Sequence, residues 1–215
     1  MRKGLKEICK LETEVITSLN GNSSVIVLDT GALIDISQAV REYNLVHRNG
    51  DRNPNYFDST SFLKYFLGMA PLIVTPKTHK EICNHARTRL NGHTFELPLR
   101  TAEFALDNMV ASSSFLEGLQ GTLPQEETRY DAYWTAKEAC NGNYKKHAEG
   151  CSETDKEILE SVAYLSSGRT VSSTGEKIGQ VLVLSSDTHV IARAEFLKRG
   201  FDGRYQGIVP ISTRY

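Results

Sequence analysis

The chain has 215 residues, 40% of them hydrophobic and 24% charged, with a formal net charge of −1 at pH 7. That length suffices for one sizeable domain with its own core, and the proportions are ordinary for a globular protein. The near-neutral balance excludes a nucleic-acid partner held by bulk charge alone, and leaves only a local basic patch to serve that purpose.

Residues 1–20 are charged throughout and lack the apolar stretch of a secretion signal. They predict a short amphipathic helix, and a cytoplasmic protein. No apolar run approaches a membrane span, so no membrane partner is expected. Cys9, Cys83, Cys140 and Cys151 form no Cys-x-x-Cys pair, and reduced thiols are the expectation. The Asn20-Gly21-Asn22-Ser23 turn leads into Val25-Ile26-Val27-Leu28, a continuous apolar run that reads as a strand buried on both faces. After Gly31 the period changes, and Leu33, Ile36, Val40 and Tyr43 fall on one helix face.

Residues 44–58 are polar, contain Gly50 and Pro54, and read as a loop; a short helix is expected at 59–68. Leu72-Ile73-Val74 predicts a second strand, and Pro76 sits well for a helix start. Residues 91–150 show helical spacing and no strand signal, which suggests a helical insertion. Ser152-Glu153-Thr154-Asp155 opens a further helix. Val181-Leu182-Val183-Leu184 is the third convincing strand, followed by a helix with Val190, Ile191, Ala194 and Leu197 inward. Residues 207–211 predict a last strand, placed at an edge by Pro210. Strands alternating with helices indicate a single α/β domain over 1–215, a three-layer α/β/α arrangement with a mainly parallel sheet of four or five strands.

The stretch VIVLDTGALIDI poses the functional question, because Asp29 follows a buried strand. Asp-Thr-Gly is how an aspartic protease presents a carboxylate, but here the motif runs into a helix. The chain holds one copy, so a homodimer would have to supply the second. A phosphatase of the haloacid dehalogenase kind needs Asp-x-Asp, and position 31 is glycine. The third chemistry is metal binding. In an open parallel sheet, sites form beyond the carboxyl ends of the strands. Asp29 and Asp187 fall at such ends, with Glu81 and Asp155 in the early turns of helices beside them. Clustered carboxylates repel unless a cation neutralises them, and hard oxygen ligands suit Mg2+ or Mn2+.

The order LDTGALI, VTPKTHKEI, SETDKEILESVAYL, VLVLSSDTHVIARA resembles the PIN-domain nucleases, over residues 24–40, 71–90 and 150–212. The resemblance implies a metal-dependent endoribonuclease in which Asp29, Glu81, Asp155 and Asp187 hold divalent metal and cleave RNA. Thr30, Ser152 and Ser186 match its supporting small polar residues. It also leaves room for a catalytically weak RNA-binding or assembly module, for a DNA-directed relative, and for an antitoxin or other regulatory partner.

Each acid has a plainer role beside that one. Asp155 can close a capping box on Ser152, Glu81 can be a solvated helix residue, and Asp187 can cap its helix. Asp35 reads as a solvated or supporting residue. Lys77, Lys80 and Arg87 make the Glu81 helix basic enough to meet RNA phosphates, with Lys145, Lys146, Arg193, Lys198 and Arg199 as further candidates. Tyr130, Tyr133 and Trp134 could stack on bases. Cys140, His147 and Cys151, with Cys83 and His85, fit no standard zinc spacing.

Overall fold

The computed structural model describes residues 3–19, 23–47, 70–87, 152–168, 177–199 and 205–214. In chain order these form α1 (Lys3–Leu19), β1 (Ser24–Leu28), α2 (Thr30–His47), β2 (Leu72–Ile73), α3 (Pro76–Arg87), α4 (Glu153–Ser166), β3 (Gln180–Ser185), α5 (Thr188–Arg199) and β4 (Ile208–Ser212). The four strands make one parallel sheet in the order β2-β1-β3-β4.

The apolar runs explain the layering. Alternate residues of a strand face opposite ways, so a strand without polar interruptions must be covered on both sides. Val25 and Val27 of β1 and Val181 and Val183 of β3 pack against α4 and α5. Ile26, Leu28, Leu182 and Leu184 pack the other way, against α1, α2 and α3. The result is the three-layer α/β/α fold. Each fully buried Val, Leu or Ile contributes roughly 1.5–3 kcal/mol of transfer free energy, so the sheet residues dominate the core.

The register is continuous from Ser24↔Gln180 to Leu28↔Leu184. Edge positions go to β2, only two residues long, and to β4, where Pro210 lacks a ladder donor. The expected edge strand at 207–211 is therefore found as β4.

Helix starts follow their capping residues. Thr75 precedes Pro76, and its hydroxyl oxygen accepts from the Thr78 amide at 3.4 Å. Ser152 accepts from the Asp155 amide at 3.1 Å, and the Ser152 amide donates to Asp155 Oδ2 at 2.7 Å, a complete capping box. The 44–58 loop expectation is corrected at its beginning: α2 runs on to His47. Polar side chains do not end a helix, and the first strong breakers are Gly50 and Pro54. The expected helix at 59–68 and the insertion at 91–150 lie outside the described residues. Among the described residues, no helix is long and apolar enough to cross a membrane.

Candidate functional site

A parallel sheet with helices on both faces sends every strand out at the same edge, and the following helices begin there. Asp29 occupies that edge one residue beyond β1. Its amide continues the ladder, donating to the Leu184 carbonyl at 3.0 Å, while its own carbonyl accepts from Leu33 at 3.2 Å and so starts α2. The side chain is buried, and Oδ2 accepts from Ser185 Oγ at 2.6 Å. The register dictates this partner. Leu28 lies opposite Leu184, so the next residues along, Asp29 and Ser185, meet on the same face.

Ser185 also reaches the second aspartate. Its oxygen accepts from the Asp187 amide at 2.9 Å, so one wholly buried hydroxyl fastens both Asp29 and the β3–α5 connection. Asp187 itself caps α5: Oδ1 accepts from the His189 amide at 2.6 Å, with His189 Nδ1 3.5 Å from the same oxygen. Asp155 is buried within its capping box at the head of α4. Glu81, one turn into α3, accepts a hydrogen bond from the Thr154 hydroxyl of α4. The capping roles anticipated for Asp155 and Asp187 are thus present, and neither is a freely solvated carboxylate.

The four acids are electrostatic neighbours. The Asp29 carboxyl is pushed up to about 6, first by burial and then by the charges of Asp155 and Glu81; hydrogen bonds from Ser185 and from the Gly31 amide oppose the rise. Asp155 is also raised, mainly by burial, with Ser152 pulling it down and the charges of Asp187 and Glu81 pushing it up. Like charges brought together in a desolvated setting are unfavourable without compensation.

The surroundings are tight and polar. A Cβ built on Gly31 would lie 2.1 Å from Ser186 Oγ, 3.3 Å from Ser186 Cβ and 3.4 Å from Asp29 Oδ2. Any side chain at position 31 would force Ser186 to turn its hydroxyl away. Ser186 is buried, Ser152 exposed, and the buried Thr30 hydroxyl has no hydrogen-bond partner among the described residues. A buried hydroxyl left without a partner costs about 1–3 kcal/mol. Carboxylate and hydroxyl oxygens of this kind suit a hard divalent cation in their chemistry. Among the described residues, however, no group of three or more His, Cys, Asp or Glu side chains stands at metal-holding spacing.

The basic residues anticipated as phosphate contacts separate into different environments. Lys77 Nζ lies 3.5 Å from Glu153, and its amide donates to Glu157 Oε2 at 2.7 Å. Lys80 is exposed, and the side chain of Arg87 lies outside the described residues. Arg193 is 1% exposed and cannot meet a phosphate at the surface, which corrects that expectation. It shares the inward stripe of Val190, Ala194 and Leu197. Arg199 pairs with Glu195 at 3.4 Å. Asp35, half-buried, accepts from Thr213 at 2.9 Å, a supporting role that ties α2 to the end of β4. Lys145, Lys146, Tyr130, Tyr133, Trp134, Cys140, His147 and Cys151 all lie outside the described residues, and Cys83 is a free, half-buried thiol.

Two residues here carry no signal of their own in the sequence. Ser185 emerges only from the β1–β3 register, which sets it beside Asp29. Glu157, buried on α4, carried no motif of its own. No family model, no curated protein and no solved structure matches this chain.

Proposed function

We infer that the acidic edge is the centre of a divalent-metal-dependent nuclease, an endoribonuclease of the PIN kind that the motifs resemble. The observation that carries this reading is the burial of Asp29 beside the charges of Asp155 and Glu81. Acids drawn from separate stretches of chain lie within electrostatic reach of one another, and a bound cation would relieve their repulsion. In this reading Asp29, Glu81, Asp155 and Asp187 hold Mg2+ or Mn2+. The bound ion would supply an activated water and charge stabilisation on the scissile phosphate.

The chain's own residues prepare that site. Ser185 orients Asp29, which is mostly ionised at pH 7 with its carboxyl at about 6. The Ser152 box orients Asp155, and the α5 cap orients Asp187. Thr30 and Ser186, both buried, follow Asp29 and Ser185 in the chain and would support the site. Lys77, Lys80 and Arg87 of α3 offer the positive charge that would draw RNA phosphates. A cytoplasmic setting, a homodimer and an antitoxin or other regulatory protein belong to the same proposal. The test is RNA cleavage with Mn2+ by the wild type and by Asp29→Asn. Activity lost in the variant is expected, and equal activity in both rejects the assignment.

One observation favours a second reading, a PIN-like RNA-binding or assembly module with little catalysis. The Asp155 and Asp187 side chains already accept backbone hydrogen bonds as helix caps, and no three-ligand group stands preformed among the described residues. Calorimetric titration with Mn2+ separates the two: heat that disappears in Asp29→Asn supports the nuclease, and RNA binding without metal uptake supports the module. Parallel assays on RNA and DNA substrates distinguish a DNA-directed enzyme.

A further inference from the structure

Two buried polar side chains of α4 meet α3. Thr154 and Glu157, one turn apart on α4, are both buried, at 7% and 6% exposure. The Thr154 hydroxyl donates to the Glu81 carboxylate. The Glu157 carboxylate accepts from the Lys77 backbone amide, in the first turn of α3. The partners therefore run in opposite order along the two helices, Thr154 with Glu81 and Glu157 with Lys77. Two points of attachment, one turn apart on each helix, add to the buried Ile82 and Thr78 in holding α3 against its neighbours.

Chemistry explains why these residue types serve. The first amides of α3 lack intrahelical acceptors, and a carboxylate reaching in from another helix satisfies one of them and favours the positive end of the dipole. Glu153, on the outer side of the same turn, adds its ion pair to the Lys77 ammonium at 3.5 Å. Glu81 belongs to a flexible side-chain type, whose rotamer freedom is costly to lose at the moment of ligand binding. A hydroxyl donor placed on its carboxylate removes part of that freedom beforehand.

We propose that Thr154 is a positioning residue for Glu81, and that Glu157 locks α3 so that this carboxylate stays aimed at the acidic edge. The inference rests on the metal-site reading above. Residues that orient a metal-binding carboxylate through a hydrogen bond typically govern affinity by about 10–100-fold.

The experiment measures Mn2+ binding to the full chain by calorimetry, together with thermal unfolding in chelator. Wild type, Thr154→Val, Thr154→Ser, Glu157→Ala and Asp29→Asn are compared. Thr154→Val keeps the shape and removes the donor; about tenfold weaker Mn2+ binding is expected, in the range set by such orienting contacts. Thr154→Ser restores the hydroxyl and should recover affinity to within about twofold, the rescue that a purely volumetric role would not give. Glu157→Ala removes the acceptor for the Lys77 amide and should also weaken Mn2+ binding by about tenfold; unchanged affinity there overturns the role given to Glu157. If the wild type binds Mn2+ in an Asp29-dependent manner and Thr154→Val binds equally tightly, this proposal is overturned and the metal site stands. If the wild type takes up no Mn2+, the metal-site reading falls and this proposal falls with it. Should Thr154→Val fail to fold, the Ser variant decides: affinity lost despite a normal unfolding temperature overturns the hydroxyl's role.

Discussion

Replacing Asp29 by asparagine should stabilise the metal-free protein while abolishing its proposed function. The carboxyl ionises near 3.8 in an unfolded chain and near 6 in the fold. Between those values the folded state holds the additional proton, so stability is greatest below 3.8 and is lost as the pH rises through about 6. At about 1.4 kcal/mol per pH unit, the full loss at neutral pH is about 3 kcal/mol. Asparagine carries no charge and sheds that loss. Its oxygen can still accept from Ser185, and its amide hydrogens suit a setting rich in carboxylate acceptors. For a domain of this size, about 3 kcal/mol corresponds to a rise in Tm of roughly 6–12 °C. The assay is thermal or urea unfolding of both proteins in chelator, from pH 4 to pH 8. The two curves should lie closest near pH 4, diverge through pH 4–6, and run parallel above pH 7. Mn2+ at a thousandfold excess over Kd should reverse the order, adding about 4.1 kcal/mol to the wild type and little to the variant. A gap independent of pH, or an asparagine variant less stable at pH 8 without metal, refutes the reasoning.

Two further outcomes test the framework around that carboxylate. Ser185→Ala removes a donor to Asp29 and an acceptor for the Asp187 amide. It should lower stability at pH 7.5 by about 1.5–3 kcal/mol, less at pH 4.5 where Asp29 is protonated, as read from urea midpoints. Equal losses at both pH values would count against the bond to the carboxylate. Gly31→Ala puts a methyl group 2.1 Å from Ser186 Oγ and should cost about 1–3 kcal/mol. Adding Ser186→Gly should return most of it, and strictly additive effects in the double variant would show that the two positions do not collide.

The sheet was legible because its strands are unbroken apolar runs. VIVL, LIV and VLVL admit few readings, and alternation with helices implies parallel pairing. Pro210 carried the edge position of β4. The strand order and register were not legible, because they depend on contacts across more than 150 residues, such as Asp29 with Ser185, 156 apart. That is why Ser186 was noted and Ser185 was not. Arg193 shows a different failure. Its charge suggested the surface, while its spacing from Val190 and Leu197 already placed it on the buried stripe. Lys77 keeps its place among the basic residues of α3, but the α4 acids beside it could not be associated with it by any local motif. Asp155 was legible in both of its roles, since the Ser152 box and the acidic edge make compatible demands on one side chain.

The register that joins β1 to β3 also sets when the acidic edge can exist. Synthesis proceeds from the N-terminus, at about 5–20 residues per second, and Asp29 is made long before its partner Ser185. Until the chain has passed residue 185 and β3 has paired, Asp29 has neither its hydroxyl nor the neighbouring aspartate of the β3–α5 connection. A nascent chain therefore carries a scattered set of ordinary carboxylates, and the assembled edge arrives late and all together. For a protein whose proposed substrate includes the very class of molecule that encodes and translates it, that delay would keep unfinished chains harmless to the message being read.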